Sequence, residues 1–325
     1  MFVGNIFDGA TTGIDVGDIG HSLRFAASRS CYASITLTTS ATATYFGVLK
    51  RGKLGVVSPI IDSYIKFNAN DTMTAFGLTT TAVFRDPSSW LFWHVSNNGL
   101  YVNGAYLGAV TTSAITNPRI GYDGTNYFDG YMARVGCVDG AASSYSNFGY
   151  LNTDINEWVS KSQSAVKAVV DAGGTNSFML DFDNGTSLTT LGYDKSSKGN
   201  NWTLNNFSLT AGVNYDWMLD VPGNSYATLN PIIPSAANIS KANLASGTTA
   251  VQATLSATAF TTSGAYWEVT AGGSAVTAGV INDSGTTNTT TVTANKTFGF
   301  RLTNAGALDY INITDAGSWT GITTG

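Results

Sequence analysis

Apolar and polar residues alternate with a period of two through much of residues 21–185, in short runs broken by Gly, Asn and Asp. That period puts successive side chains on opposite faces of an extended chain, so it predicts strands rather than helices. "GLYVNGAYLG" (99–108) reads as a two-strand ribbon turning at Asn103–Gly104, because Asn-Gly accepts the positive φ of a tight hairpin turn. "YMARVGCV" (131–138), between Asp129–Gly130 and Asp139–Gly140, reads as a further strand. In it Tyr131, Ala133, Val135 and Cys137 or Val138 would face inward, and Arg134 would face solvent or a neighbouring acid. The two aspartates are expected to cap turns through their own backbone.

One stretch breaks the period. "SKSQSAVKAVVDAGG" (160–174) places Ala, Lys and Val at helical spacing and stops at Gly173–Gly174. Residues 1–20 are Gly- and Asp-rich without periodicity and read as an extended N-terminal arm. Residues 21–185 form the first β domain. Residues 186–235, rich in Asn, Gly and aromatics, read as an ordered linker pinned by Trp202, Phe207, Trp217 and Tyr226. Residues 236–325 carry strand-like runs between Gly and Asn turns and read as a second, small β module. The expected class is all-β.

Composition narrows the class further. Charged residues make up only 11% of the 325 positions, whereas aromatics reach 12% and Gly numbers 36. A disordered chain would be charge-rich and aromatic-poor. No stretch approaches the roughly 20 apolar residues that a membrane helix needs. The 16 basic residues are scattered, the densest group being "LKRGKLG" (49–55), and the net charge is −5. A nucleic-acid partner, which wants a basic face, is therefore not expected, nor is a membrane. "MFVGNIFDGATTG" has neither a basic nor an apolar signal region, so synthesis in a cytoplasm is expected.

Catalytic patterns are scarce. Glycan hydrolysis uses two carboxylates, but the chain has only two glutamates, Glu157 and Glu268, in different predicted domains. Asp181 and Asp183 share a strand face at i, i+2, as the end of a strand or at most a weak Ca²⁺ pair. His21 and His94 have no nearby metal-ligand partners, and His94 reads as packed in or beside a strand. Cys31 and Cys137 read as small buried hydrophobes, with a disulfide between them left open. No phosphate-binding or nucleophile-elbow spacing occurs. No enzyme activity, cofactor or metal is expected. Trp90, Trp93, Tyr101 and Tyr106 are either an aromatic core or a sugar-stacking surface; Trp93 and Tyr106 are the candidate glycan contacts.

A series of short motifs runs in order along the chain. Arg85-Asp86-Pro87-Ser88 precedes Trp90, and Tyr101-Val102-Asn103-Gly104 follows. Next come Phe128-Asp129-Gly130-Tyr131, Asp139-Gly140, Phe148-Gly149 and Leu180-Asp181-Phe182. "LKRGKLG", Asp194 to Ser208 and "ATLNP" (227–231) complete the set. In these the chain resembles the laminin-G-like, concanavalin A-type jelly roll. More narrowly, it resembles a group of virion structural proteins of tailed bacteriophages, marine ones especially, over roughly residues 21–234. "YWEVTAGG" and "AGVIND" are similar to the opening strands of a SPRY-type sandwich without its second half, which implies either an abbreviated sandwich or, the favoured reading, completion by a partner chain.

The resemblance implies a concanavalin A-like jelly-roll sandwich followed by a second small β-sandwich module. It implies a virion component made in the host cytoplasm and displayed on the particle as a fibre, head decoration or tail appendage. Other capsid or tail proteins would be its partners. A homo-oligomer, with a trimer favoured, and contact with host-surface polysaccharide are also implied. The competing reading is a carbohydrate-binding, lectin-like module.

Overall fold

A computed structural model describes residues 19–26, 28–153, 156–211, 215–226, 228–229, 239–240 and 242–243. It also describes, as backbone strands, Phe2–Asn5, Ala245–Ser246, Ala253–Thr254, Tyr266–Val269, Val276–Ile281, Thr297–Leu302, Leu308–Ile311 and Thr320–Gly321. The protein is all-β: two large antiparallel sheets pack face to face as a jelly-roll-like sandwich. The first sheet runs Ala105–Gly108, Gly99–Val102, Trp90–Ser96, Ala43–Arg51, Gly130–Asp139, Ser22–Phe25, Trp217–Met218, with Phe178–Leu180 also paired to Gly130–Asp139. The second runs Trp202–Asn205, Ser30–Ala33, Arg119–Ile120, Ser58–Ile61, Ile65–Phe67, Thr72–Ala75, Leu78–Val83.

The core lies between the sheets. Tyr45, Leu49, Leu91, Trp93, Val95, Met132, Val135 and Cys137 from the first sheet meet Cys31, Ile61, Ile65, Phe67, Met73 and Ile120 from the second. The two central strands of the first sheet are unusual for an antiparallel sandwich, in which one face commonly meets water. Every residue of Ala43–Arg51 and of Gly130–Asp139 is buried. Their outer face is covered twice. The helix Gln163–Asp171 packs Val166 and Val170 onto Phe46, Val138, Phe148 and Met179. Val221 and Ala242 close over Val48, Trp90 and Tyr131.

This double cover corrects the sequence reading of the 130–139 strand. A register shift between Met132 and Arg134 makes Ala133 the extra residue of a bulge. Met132, Val135 and Cys137 therefore face the sandwich core, while Tyr131 faces the outer layer. Arg134 is 1% exposed instead of solvated, and its neighbouring acid is Asp181.

Local signals translate directly elsewhere. Asn103 (φ 48°) and Gly104 (φ 77°) make the hairpin turn, and the Asn103 side chain accepts the Phe92 N–H at 2.8 Å. The helix starts at an N-cap, Ser162, whose hydroxyl accepts the Ala165 N–H, and it stops before Gly173–Gly174.

Residues 186–226 behave as more than a linker. Trp202–Asn205 pairs with Ser30–Ala33 and Trp217–Met218 pairs with Ser22–Phe25, so this segment supplies an edge strand to each sheet. Trp202 and Phe207 sit in the core. Within the predicted arm, Phe2–Asn5 pairs antiparallel with Tyr266–Val269, and residues 6–18 lie outside the described residues. Of the predicted second module, Val276–Ile281, Thr297–Leu302, Leu308–Ile311 and Thr320–Gly321 form a four-stranded antiparallel sheet. The remainder of residues 244–325 lies outside the described residues apart from the strands named above.

Candidate functional site

The two aromatics singled out from sequence part company. Trp93 is 3% exposed, packed in the core across Gly47. A Cβ at Gly47 would stand 2.8 Å from the Trp93 indole nitrogen, so the absence of a side chain there is what admits the ring. That burial leaves Trp93 out of reach of a glycan. Tyr106, on the edge strand Ala105–Gly108, is 56% exposed.

Tyr106 begins a run of rings across the outer face of the first sheet. Cross-strand pairing sets Tyr101 opposite both Tyr106 and His94. The Tyr101 ring lies 5.3 Å from Tyr106 and stacks on Tyr145 at 4.3 Å, and Tyr145 lies 5.2 Å from Trp158. Trp158 comes from the hairpin that joins Gly149–Asn152 to Glu157–Ser160, and its ring lies over Gly104. A Cβ at Gly104 would come within 2.5 Å of that ring, so the hairpin turn and the aromatic run depend on one another. Only Tyr106 offers a largely open ring; the rest of the run holds it in place. The small cavity beneath, lined by His94, Tyr101, Tyr145 and Trp158 among others, measures about 20 Å³. That is room for one water molecule, not for a sugar.

His94 packs inside the strand Trp90–Ser96, as its sequence context suggested. Its Nε2 lies 3.0 Å from the Ser143 carbonyl, which accepts its proton, and its Nδ1 has no partner among the described residues. Burial lowers its pKa to about 4, so the ring is neutral at physiological pH.

Ten of the described charged residues are buried. Asp181 takes a two-pronged ion pair from Arg134, with both N–O distances at 2.7 Å, and Arg134 also donates to the Ser160 hydroxyl and the Lys161 carbonyl. Asp216 accepts from Arg24 at 2.9 Å and from Arg29 at 2.7 Å. Lys50 pairs with Asp220 and sits over the rings of Trp90 and Tyr131. Burial raises the Asp220 pKa, and Lys50 partly offsets it. Arg51 and Arg85 share Asp71. Against the cost of burial, the Gly55 N–H, Arg85 and Arg51 hold the Asp71 carboxyl below its ordinary value.

The two aspartates flanking the 130–139 strand do reach backbone N–H groups, but those of neighbouring loops. Asp129 accepts the Lys53 N–H at 3.0 Å and Asp139 the Ser40 N–H at 2.6 Å. They clamp loops distant in sequence, where the sequence reading had each capping its own turn. Burial pushes Asp129 up to about 6, with the Lys53 N–H and charge pulling the other way.

Asp181 and Asp183 each have a cation partner, Arg134 and Lys195. Among the described residues no group of three or more His, Cys, Asp or Glu is placed to hold a metal ion. Cys31 and Cys137 are free and buried, and burial pushes both thiols up. Sequence reasoning missed Asp216 and Asp220; the available signal was two acids in the otherwise uncharged "VNYDWMLDV" stretch. Compared with known proteins, the chain matches no family model and no curated relative.

Proposed function

We propose that this chain is a structural component of a tailed-bacteriophage particle, displayed on the particle surface and acting by assembly with capsid or tail proteins. The observation that carries the reading is what the residues of the ordered motifs do. Arg85 braces Asp71, Asp86 accepts the Ser88 N–H, Asn103 shapes the hairpin, and Asp129 and Asp139 clamp loops. Asp181 fixes Arg134, and Asp194 accepts the N–H groups of Met179, Ser196 and Asn200. These polar groups serve rigidity, which suits a part whose output is its shape.

The proposal includes a homo-oligomer, a trimer in particular. Native mass spectrometry of the purified chain tests it: a species at three times the chain mass is expected, and a monomer at micromolar concentration would count against it. A second reading, a lectin-like module, is favoured by Tyr106 alone, an open ring held by Tyr101 and Tyr145. If it holds, Tyr106→Ala abolishes glycan-array binding while leaving the melting temperature unchanged.

A further inference from the structure

We propose that the chain carries a separate saccharide-binding groove at the end of the strand Phe178–Leu180, lined by Asp183, Asn184, Gly185, Thr186, Lys195 and Trp217. The groove is open and holds about 440 Å³. That falls in the range of small-ligand sites. It lies outside the aromatic run around Tyr106, and its chemistry holds whether or not the chain belongs to a particle.

The walls are fixed in advance. Phe182 has φ 50°, a left-handed conformation in a bulky residue, and its side chain is 1% exposed in the core. Such a residue is strained and persists only where its surroundings enforce it. Here the turn sets Asp181 against Arg134 and Asp183 against Lys195 at 2.5 Å. Gln163 bridges the two carboxylates, donating to both at 3.0 Å. Trp217 donates its indole N–H to the Phe182 carbonyl at 2.8 Å. Its ring is stacked by His21 at 3.9 Å, with Gly185 packed against it. A side chain at Gly185 would meet the ring at 2.3 Å.

The groups left for a ligand are hydrogen-bonding ones. The Asn184 carbonyl oxygen is taken by the Thr186 N–H and hydroxyl, and its NH₂ has no partner among the described residues. The Asp183 and Lys195 side chains remain 35% and 27% exposed. One anion and one cation at contact leave the groove neutral. His21 adds no charge at neutral pH, because burial lowers its pKa while Asp183 partly offsets that. A rigid neutral groove with amide and ammonium donors, a carboxylate acceptor and an indole edge matches a neutral pyranose, which offers adjacent hydroxyls as both donors and acceptors. A charged ligand would have to break the Asp183–Lys195 pair.

The seven tryptophans permit a local readout. The full chain is labelled with 5-fluorotryptophan, the Trp217 fluorine signal is assigned with Trp217→Phe, and methyl glycosides of glucose, galactose, mannose and N-acetylglucosamine are titrated. At least one glycoside is expected to move the Trp217 signal saturably. Asn184→Asp keeps the oxygen that Thr186 needs but removes the NH₂ donor, and it should weaken that binding about tenfold. No shift with any glycoside, or an unaltered affinity in Asn184→Asp, would overturn the groove assignment.

Discussion

Breaking the Arg134–Asp181 pair should cost far more than a surface ion pair, and undoing both partners together should cost less than the sum. The guanidinium is 1% and the carboxylate 4% exposed, and among the described residues the guanidinium donates twice to Asp181 and also to Ser160 and Lys161. Removing either charge strands the other in the outer layer of the first sheet, at about 3–5 kcal/mol. For a domain of this size, each kcal/mol moves the melting temperature by about 2–4 °C. Arg134→Met or Asp181→Leu alone should therefore lower it by roughly 6–20 °C. The double variant leaves no unpaired charge. It still takes one hydrogen-bond partner each from the Ser160 hydroxyl, the Lys161 carbonyl and the Gln163 amide, weaker, neutral losses, for a net cost of about 1–3 kcal/mol. Urea denaturation of the four proteins, followed by tryptophan fluorescence, gives the coupling energy, which should exceed about 3 kcal/mol. Single variants within about 1 kcal/mol of wild type, or additive losses, would refute the idea that this pair locks the Phe178–Leu180 strand and the helix to the sheet.

Other outcomes follow from the same geometry. Asp129 has its pKa raised to about 6 by burial, so the folded state favours the protonated form. Its contribution to stability is fully present below the unfolded value of about 3.9 and is lost as pH rises through 6. Asp129→Asn should thus raise the melting temperature at pH 8 and confer little at pH 4; an equal effect at both would contradict the shift. Gly47→Ala should destabilise by about 1–3 kcal/mol, because its Cβ would come within 2.8 Å of both the Arg134 carbonyl and the Trp93 ring. A melting temperature unchanged from wild type would exclude that close fit. Cys31 and Cys137 are buried thiols with raised pKa, so neither should react with a water-soluble disulfide reagent until the protein unfolds. Fast labelling of the native protein would contradict their burial.

The parts of the fold legible in the sequence are those written in local chemistry. Asn103–Gly104 demands a hairpin turn wherever it stands between two alternating runs, and Ser162 followed by Ala, Val and Lys at helical spacing demands a capped helix. Long-range partners leave no such trace. The sequence leaves solvent and a neighbouring acid both open for Arg134 because its acid lies 47 residues further on, and Asp216 meets Arg24 across 192 residues. The edge strands Trp202–Asn205 and Trp217–Met218 are too short for alternation to show. At the site, the sequence left Tyr106 between core and surface, because alternation does not say which face of an edge strand is covered. The burial of Trp93 was not legible either, because it depends on Gly47, its cross-strand partner.

The virion assignment is tested most directly by counting this chain in purified phage particles. Quantitative mass spectrometry gives its ratio to the major capsid protein. The proposal predicts that the chain is present in fixed stoichiometry, with hundreds of copies for a head decoration or about six to eighteen for a fibre or tail appendage. Its absence from intact particles would contradict the assignment.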